Sequence, residues 1–328
     1  MLRSITAANP ARMQAALAGL SAYQGAGRPP VAAPMPAIAE TLGAALRDYG
    51  GDGPAVLFVP SLINPPNVLD MGDRSLLRWL AGRGRRVLLL DWGWPGPDRR
   101  ALAVAGHVEQ ILLPLMEQLA EPVDLVGYCL GGTMALAAAG PGRARSVATL
   151  AAPWHFDGFP EDARTGLGKL WADAQPTVRT LGLLPMEVLQ CAFWSLDPER
   201  TIAKFEAFAT LDGEEARTFV MLEDWANDGP PISEAAAREM FEGLFAGNAS
   251  GRGAWQVAGE TADPAALPCP SLHIVSTTDR IVPAATAPRA GERLELALGH
   301  VGMVVGRRAP ELLWAPLAAW LSGTAASC

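Results

Sequence analysis

The chain has 328 residues, half of them apolar, which is enough to bury the core of one large domain or of a domain with an insertion. This composition argues against an intrinsically disordered protein and against a coiled coil. The net charge of −8 argues against a nucleic-acid partner. The first eight residues lack the pattern of a signal peptide, and no apolar stretch has the length of a transmembrane helix, so we expect neither.

In the first half of the chain, short apolar runs alternate with helical patterns. The predicted elements, in chain order, are a helix at 12–23, a linker at 25–36, a helix at 37–49, a strand at 55–59, a helix at 74–82, a strand at 86–90, a helix at 104–119, a strand at 123–127, a helix at 134–139 and a strand at 146–150. No strand is expected before residue 54, and Pro114 predicts a distortion of its helix. The alternation predicts an α/β fold with a mostly parallel sheet covered by helices on both faces.

The alternation stops at residue 154. Residues 154–262 contain helical, aromatic and Met-rich segments without a clear strand, and they predict a helical cap inserted into the sheet domain. The aromatic side chains fit an ordinary helical core, a lid over an apolar substrate channel, or both. Trp225 and Asp91 are candidates to line such a channel, although a structural role at the end of its strand is favoured for Asp91.

The sheet pattern resumes after the cap. We expect strands at 271–276 and 293–296, a helix near 284–290, and a closing helix through residues 312–321. The predicted domains are an N-terminal helical and linker segment (1–53), a core formed by 54–153 and 263–328, and the cap (154–262).

The strand at 123–127 leads into the sequence Gly-Tyr-Cys-Leu-Gly. The pattern G-x-C-x-G is typical of a nucleophile elbow, a sharp turn that lifts its middle residue above the sheet edge, with glycines where side chains would clash. Cys129 is the candidate nucleophile, because the start of a helix favours its thiolate. The backbone N–H of Leu130 and one near Ser61 or Leu62 would form the oxyanion hole. From these residues alone, an inert buried cysteine stays equally open.

Three candidate catalytic groups follow three different predicted strands. Cys129, Asp279 and His300 occur in the order nucleophile, acid, histidine, which is the order of the α/β-hydrolase fold. Ligands bind at the carboxyl ends of the strands in open α/β sheets, so we expect the three side chains to meet there. His300 would take the thiol proton and later act as base, and Asp279 would orient the imidazole and stabilise its cation.

Other histidines are weaker candidates. His155 and Asp157 also follow a strand, but their position in the chain is wrong for this fold. His107 lies at a helix start and is expected at the surface or as a cap. His273 lies in the middle of an apolar strand and is expected to be a hydrogen-bonded core residue.

Five segments resemble the polyhydroxyalkanoate (PHA) synthases. Residues 127–133 are similar to the lipase-like box in which that family uses cysteine. The other matches are 60–64 with 68–70, 91–93, 279–283 and 299–305, all in the family's order. The resemblance covers about 54–155 and 268–310, and the cap is only loosely similar.

The resemblance implies an α/β-hydrolase-fold acyltransferase that acts on 3-hydroxyacyl-CoA thioesters. Cys129 would be acylated with release of CoA, His300 would be the base and Asp279 its partner, and the hydroxyl of a growing chain would attack the acyl-cysteine. No permanently bound cofactor and no metal are implied, and CoA is the leaving group. We expect a cytoplasmic protein, or one at the surface of PHA granules, that acts as a homodimer or with a second synthase subunit.

The sequence also departs from the family. Arg280 stands where the family usually has histidine, the chain is shorter than most synthases, and the Asp91-Trp92-Gly93 motif continues in an atypical way. A hydrolase that uses the same triad on esters or thioesters therefore stays open, as does a non-catalytic granule-associated protein.

The four cysteines have no metal-ligand spacing and no disulfide framework, so we expect reduced thiols. They are Cys129, Cys191, Cys269 and Cys328.

Overall fold

The computed structural model describes residues 2–28, 33–140 and 142–325. The chain divides into two compact units. The smaller unit comprises Met1–Ala33 and Met186–Gly229, and the larger comprises Pro34–Pro185 and Pro230–Cys328. No helix in the described ranges is both long and apolar enough to cross a membrane.

The helices, in chain order, are α1 (Leu2–Ile5), α2 (Pro10–Gly25), α3 (Leu76–Ala81), α4 (Val104–His107), α5 (Leu113–Glu117), α6 (Leu130–Ala138), α7 (Glu161–Leu181), α8 (Met186–Leu196), α9 (Pro198–Phe208), α10 (Gly213–Ala226), α11 (Glu234–Arg238), α12 (Gly302–Val305) and α13 (Ala315–Ala325). Within the described residues, π-helical segments continue or precede these helices at Val108–Leu112, Glu239–Ala246 and Pro310–Trp314. The distortion expected at Pro114 is confirmed, because the π-helical segment separates α4 from α5.

The larger unit is built on an eight-stranded sheet. Its strands are β1 (Ala37–Thr41), β2 (Ala44–Asp48), β3 (Ala55–Val59), β4 (Arg86–Asp91), β5 (Val123–Tyr128), β6 (Ala144–Leu150), β7 (Ser271–Ser276) and β8 (Glu292–Leu296). The spatial order is β1-β2-β4-β3-β5-β6-β7-β8. The pairings of β2 with β1 and with β4 are antiparallel, and the others in this sheet are parallel. The continuous apolar runs of β3 to β6 are buried, as expected for parallel strands with both faces covered, so the predicted mostly parallel sheet is confirmed.

The helix predicted at 37–49 is wrong, and so is the expectation of no strand before residue 54. These residues form the β1–β2 hairpin, in which Thr41 pairs with Ala44. Leu42 and Gly43 have φ angles of 49° and 78°, and positive values at both central residues are required by a two-residue type I′ turn. The spacing of the apolar residues in 37–49 fits a helix equally well. These residues form strands because β2 pairs with β4.

Two further expectations are corrected. Only a short 3₁₀ turn, Ala284–Thr286, replaces the helix near 284–290, because prolines at 283 and 288 flank it. The domain boundary at residue 53 is wrong, since β1 and β2 belong to the main sheet. The predicted cap (154–262) is largely helical, but only Met186–Gly229 lies outside the larger unit.

The smaller unit is helical and has its own aromatic cluster. Its helix α2 covers the predicted helix at 12–23. The ring of Tyr23 lies edge-on to Phe205, Phe208 and Phe219, at 5.8–6.2 Å between centroids. The Tyr23 hydroxyl donates to Asp224 at 2.5 Å. Long-range contacts therefore join the two chain segments that form this unit.

Candidate active site

Cys129 lies at the turn between β5 and α6, as the elbow pattern predicts. Its backbone has φ 55° and ψ −130°, a conformation that costs energy for a residue with a side chain. The turn is held on both sides: the Cys129 N–H donates to Leu150 O at 2.9 Å, and its carbonyl accepts from Gly132 N at 2.9 Å. Backbone strain of this kind is found where a functional group must be presented.

The glycines of the elbow have no room for side chains. A Cβ atom at Gly127 would collide with the backbone of Gly131 and Gly132. One at Gly131 would collide with the carbonyl groups of Val59 and Pro60. The start of α6 is therefore packed directly on the end of β3, which brings the loop after β3 next to the elbow.

Asp279 and His300 form a buried, hydrogen-bonded pair. Oδ2 of Asp279 lies 2.6 Å from Nδ1 of His300. The other carboxylate oxygen, Oδ1, accepts from the backbone N–H groups of Ile281 and Val282 at 2.7 and 3.0 Å. Because both oxygens are held, the carboxylate is fixed in the orientation that directs the second ring nitrogen of His300 away from it.

His300 also interacts with Cys129. Burial by itself lowers the pKa of His300, but the charge of a Cys129 thiolate, hydrogen bonds to Asp279 and Cys129, and the charge of Asp279 together raise this pKa above its usual value. Nδ1 is engaged by Asp279, so Nε2 is the atom left for the thiol. The structure thus brings the three predicted catalytic residues together in the order Asp279, His300, Cys129.

Sequence reasoning missed the residue before the nucleophile. The Tyr128 ring lies 5.0 Å from the His300 ring between centroids, with the planes tilted by 32°. Its hydroxyl donates to the backbone carbonyl of His300 at 3.2 Å. The sequence offers no signal for this contact, since the residue between glycine and nucleophile belongs to the variable part of the pattern.

The predicted oxyanion residues lie beside the elbow. Leu130 is the first residue of α6, so its backbone N–H has no intrahelical acceptor. Ser61 and Leu62 are buried, and the Ser61 hydroxyl accepts from Ile63 N at 3.2 Å. The indole N–H of Trp92 donates to Pro60 O at 2.9 Å and so ties this loop to the end of β4. The assignment of oxyanion donors stays a prediction.

The two channel candidates lie in different units. Asp91 ends β4, where its Oδ2 accepts from Arg47 at 3.1 Å and its Oδ1 from Gly93 N at 3.0 Å. These bonds give Asp91 the structural role favoured from the sequence. Trp225 is a buried residue of α10 in the smaller unit, and its part in a channel stays a prediction.

The remaining histidines differ from His300. His155 donates its backbone N–H to Thr286 O, and Asp157 is exposed. The expectation that His107 lies at the surface is wrong: it is 2% exposed, and its Nδ1 lies 2.8 Å from Ala103 O. The His107 ring packs edge-on to the ring of Trp92. The sequence around His107 does not reveal this contact.

The core position of His273 is confirmed, with Nδ1 2.9 Å from the Thr149 hydroxyl. Among the cysteines of the described ranges, Cys129, Cys191 and Cys269 are free thiols, as expected. Cys328 and part of the predicted linker lie outside the described residues.

A model of the family described as "Alpha/beta hydrolase family" matches residues 56–313. The chain belongs to this family. The match includes the elbow, the acid and the histidine. Similar folds occur in a monoacylglycerol lipase of Paleococcus ferrophilus (18% identity, 87% of this chain, 100% of the lipase, TM-score 0.54) and a carboxylesterase of Nitrososphaera gargenis (13%, 89%, 100%, TM-score 0.54). At these identities the likeness shows the fold alone.

Curated relatives bear out the resemblance to PHA synthases. The chain is 28% identical to the "Poly(3-hydroxyalkanoate) polymerase subunit PhaC" of Haloferax mediterranei, over 81% of this chain and 58% of that protein. It is 29% identical to the subunit of the same name from Allochromatium vinosum, over 81% and 80%. The chain thus spans little more than half of the Haloferax protein and four fifths of the Allochromatium protein.

Proposed function

We propose that this α/β hydrolase is an acyltransferase that polymerises 3-hydroxyacyl-CoA through an acyl-Cys129 intermediate, with release of CoA. The observation that carries the proposal is the arrangement of Cys129, His300 and Asp279 at a strained elbow. The similarity to polymerase subunits supports this substrate class. A cysteine nucleophile suits the exchange, because its thioester remains reactive towards an alcohol.

Acylation moves one acyl group and one proton. The Cys129 thiol gives its proton to Nε2 of His300, and the thiolate attacks the carbonyl carbon of the substrate thioester. The bond from that carbon to the CoA sulfur breaks, and the departing sulfur takes the proton from the imidazolium. Asp279 keeps the imidazole oriented and stabilises its cation throughout.

Chain extension uses the same groups, but Cys129 is now the leaving group and not the nucleophile. The hydroxyl of a growing chain gives its proton to His300, and its oxygen attacks the acyl-cysteine carbonyl. An ester bond forms and Cys129 leaves as a thiolate, which recovers the proton from His300. Backbone N–H groups near Leu130 and Leu62 would bind the oxyanion of each tetrahedral intermediate. Location at a granule surface and assembly with a second subunit belong to the same proposal.

The test follows free thiol release and the acyl product when purified protein is given 3-hydroxybutyryl-CoA. We expect oligomer or polymer from the wild type and a loss of at least about 10⁴-fold in Cys129→Ala, as for removal of a nucleophile elsewhere. Cys191→Ala is the matched control, because Cys191 is an exposed thiol of the smaller unit. Thiol release that persists undiminished in Cys129→Ala would contradict the proposal.

A hydrolase with the same triad is the second candidate. It is motivated by Arg280, which replaces the histidine usual in PHA synthases next to the acid. In the same assay it predicts free 3-hydroxy acid, dependent on Cys129, and no polymer. Absence of any turnover, together with no labelling of Cys129 by an acyl-CoA analogue, would favour the non-catalytic granule-associated alternative.

A further inference from the structure

Tyr128 contacts His300 in two ways that no catalytic step requires. It is the last residue of β5, its side chain is buried, and it directly precedes Cys129. Its ring lies against the imidazole of His300, 5.0 Å between centroids, and its hydroxyl donates to the His300 carbonyl. The two residues are far apart in sequence, so the contact joins the elbow directly to the loop that carries the histidine.

The ring contact favours one charge state of His300. A cation within about 6 Å of an aromatic centroid is attracted by the electron-rich face of the ring. Asp279 approaches the imidazole at Nδ1, and Cys129 is hydrogen-bonded to the same side chain. In the described part of the chain, these two are the ionisable groups whose charges act most strongly on His300, and both favour imidazolium.

The Tyr128 hydroxyl does not compete as a proton carrier. Burial raises the pKa of Tyr128 well above its usual value, and the negative charges of Cys129 and Asp279 raise it further. Tyr128 therefore stays neutral over the range in which the cysteine and histidine exchange a proton. Its effect on His300 comes from the ring face and from the hydrogen bond to the backbone.

We propose that Tyr128 is a positioning residue that holds His300 as an imidazolium beside the thiolate of Cys129. The ring stabilises the cation, and the hydroxyl fixes the backbone from which the imidazole extends. The inference rests on the proposed function only in taking Cys129 and His300 as the reacting pair.

Two variants separate the ring from the hydroxyl. Tyr128→Leu removes the aromatic face, and Tyr128→Phe keeps the face and removes the hydrogen bond. Phe159→Leu is the control, because it removes a buried ring that stacks on Phe156 elsewhere in the larger unit. Thermal unfolding of all three variants establishes that each is folded before it is compared.

The measurement is the titration of the His300 ring by NMR in protein with carbon-13-labelled histidine. The chain has only four histidines, and His300→Gln assigns the signal. We expect Tyr128→Leu to lower the titration midpoint of His300 by about half to one pH unit, the size of a cation–π contact. Tyr128→Phe and Phe159→Leu should keep the wild-type midpoint.

The inference is overturned if Tyr128→Leu leaves the midpoint unchanged, or if Tyr128→Phe or Phe159→Leu shifts it as much as Tyr128→Leu. The titration needs no turnover, so it is decided even if no acyl product forms. Where acylation is measurable, the alkaline limb of kcat/KM should move to lower pH by the same amount in Tyr128→Leu, with KM unchanged.

Discussion

The two ends of strand β5 carry buried carboxylate clusters of opposite character. At the amino end, Asp124 is fully buried and is contacted by Arg85, by Arg145 at 3.1 Å, and by the Ser146 hydroxyl at 2.7 Å. The acid of this cluster is satisfied within the protein. At the carboxyl end, the corresponding series runs from a carboxylate through His300 to a cysteine thiol that is only half-buried.

The difference separates a carboxylate that stabilises the fold, Asp124, from a carboxylate that acts on a proton-transferring histidine, Asp279. Two arginines and a serine hold the buried carboxylate of Asp124, so this carboxylate serves the fold and not a substrate. The series at the other end stops at the half-buried Cys129, and its proton can move. Substitutions at the two ends should therefore affect different quantities, and three measurements test this difference.

The largest effect is expected for Asp279→Asn. The amide oxygen can still accept from Ile281 and Val282, but the negative charge that stabilises the imidazolium is lost. We expect kcat for acyl transfer to fall by about 10³- to 10⁴-fold, while the melting temperature changes little. The comparison fails if Asp279→Asn lowers the melting temperature strongly while its kcat stays close to that of the wild type.

Asp124→Asn should act on stability instead. It leaves the buried Arg85 and the partly buried Arg145 without a counter-charge, which costs about 3–5 kcal/mol of unfolding free energy. Urea unfolding measures this loss, and kcat of the folded fraction should stay at the wild-type value. Asp48→Asn is the control, because its ion pair with Arg86 is partly exposed and contributes about 1 kcal/mol or less. A large fall in kcat in Asp124→Asn would show that the two ends are coupled.

The smallest effect concerns His107, whose burial favours the neutral imidazole, whereas the groups around His300 favour the charged one. Burial lowers the pKa of His107 to about 4, whereas the same group titrates near 6.5 when exposed. The unfolded chain therefore takes up the proton first, and stability present above pH 6.5 is lost as the pH falls towards 4. The loss amounts to about 3 kcal/mol at most.

His107→Asn tests this assignment, since its amide can donate to Ala103 O in place of Nδ1 without titrating. Urea unfolding between neutral pH and about pH 4 should show a shallower decline than in the wild type. His273, whose pKa burial also lowers to about 4, accounts for a remaining part of the slope. An identical slope in His107→Asn would mean that other groups dominate acid unfolding.

The parts of the site that the sequence predicts are those with a local pattern. The elbow is recognisable because glycines stand on both sides of Cys129, at Gly127 and Gly131, where backbone atoms exclude a side chain. The acid and the histidine are recognisable because each follows an apolar strand in the expected order. The spacing of the glycines around Cys129 and the order of the three residues along the chain are both visible without a structure.

The features that escaped prediction depend on distant segments. The hairpin at 37–48 becomes a pair of strands through its contact with β4, and Leu42 supplies a positive φ that such turns usually take from Asn or Asp. The burial of His107 depends on Trp92 and Ala103, and the contact of Tyr128 with His300 spans most of the chain. The joining of 1–33 with 186–229 likewise has no local signal.

The rigidity of the elbow also determines which partner moves during repeated reaction. The sulfur of Cys129 is held by a strained backbone with a hydrogen bond on each side and by glycines packed against β3. The sulfur is consequently held in one position and cannot carry a bound acyl group to another site. If the protein elongates a polyester, the product must therefore move past a stationary sulfur each time a unit is added. The direction of growth is then set by the path along which the product leaves, and not by motion of the nucleophile.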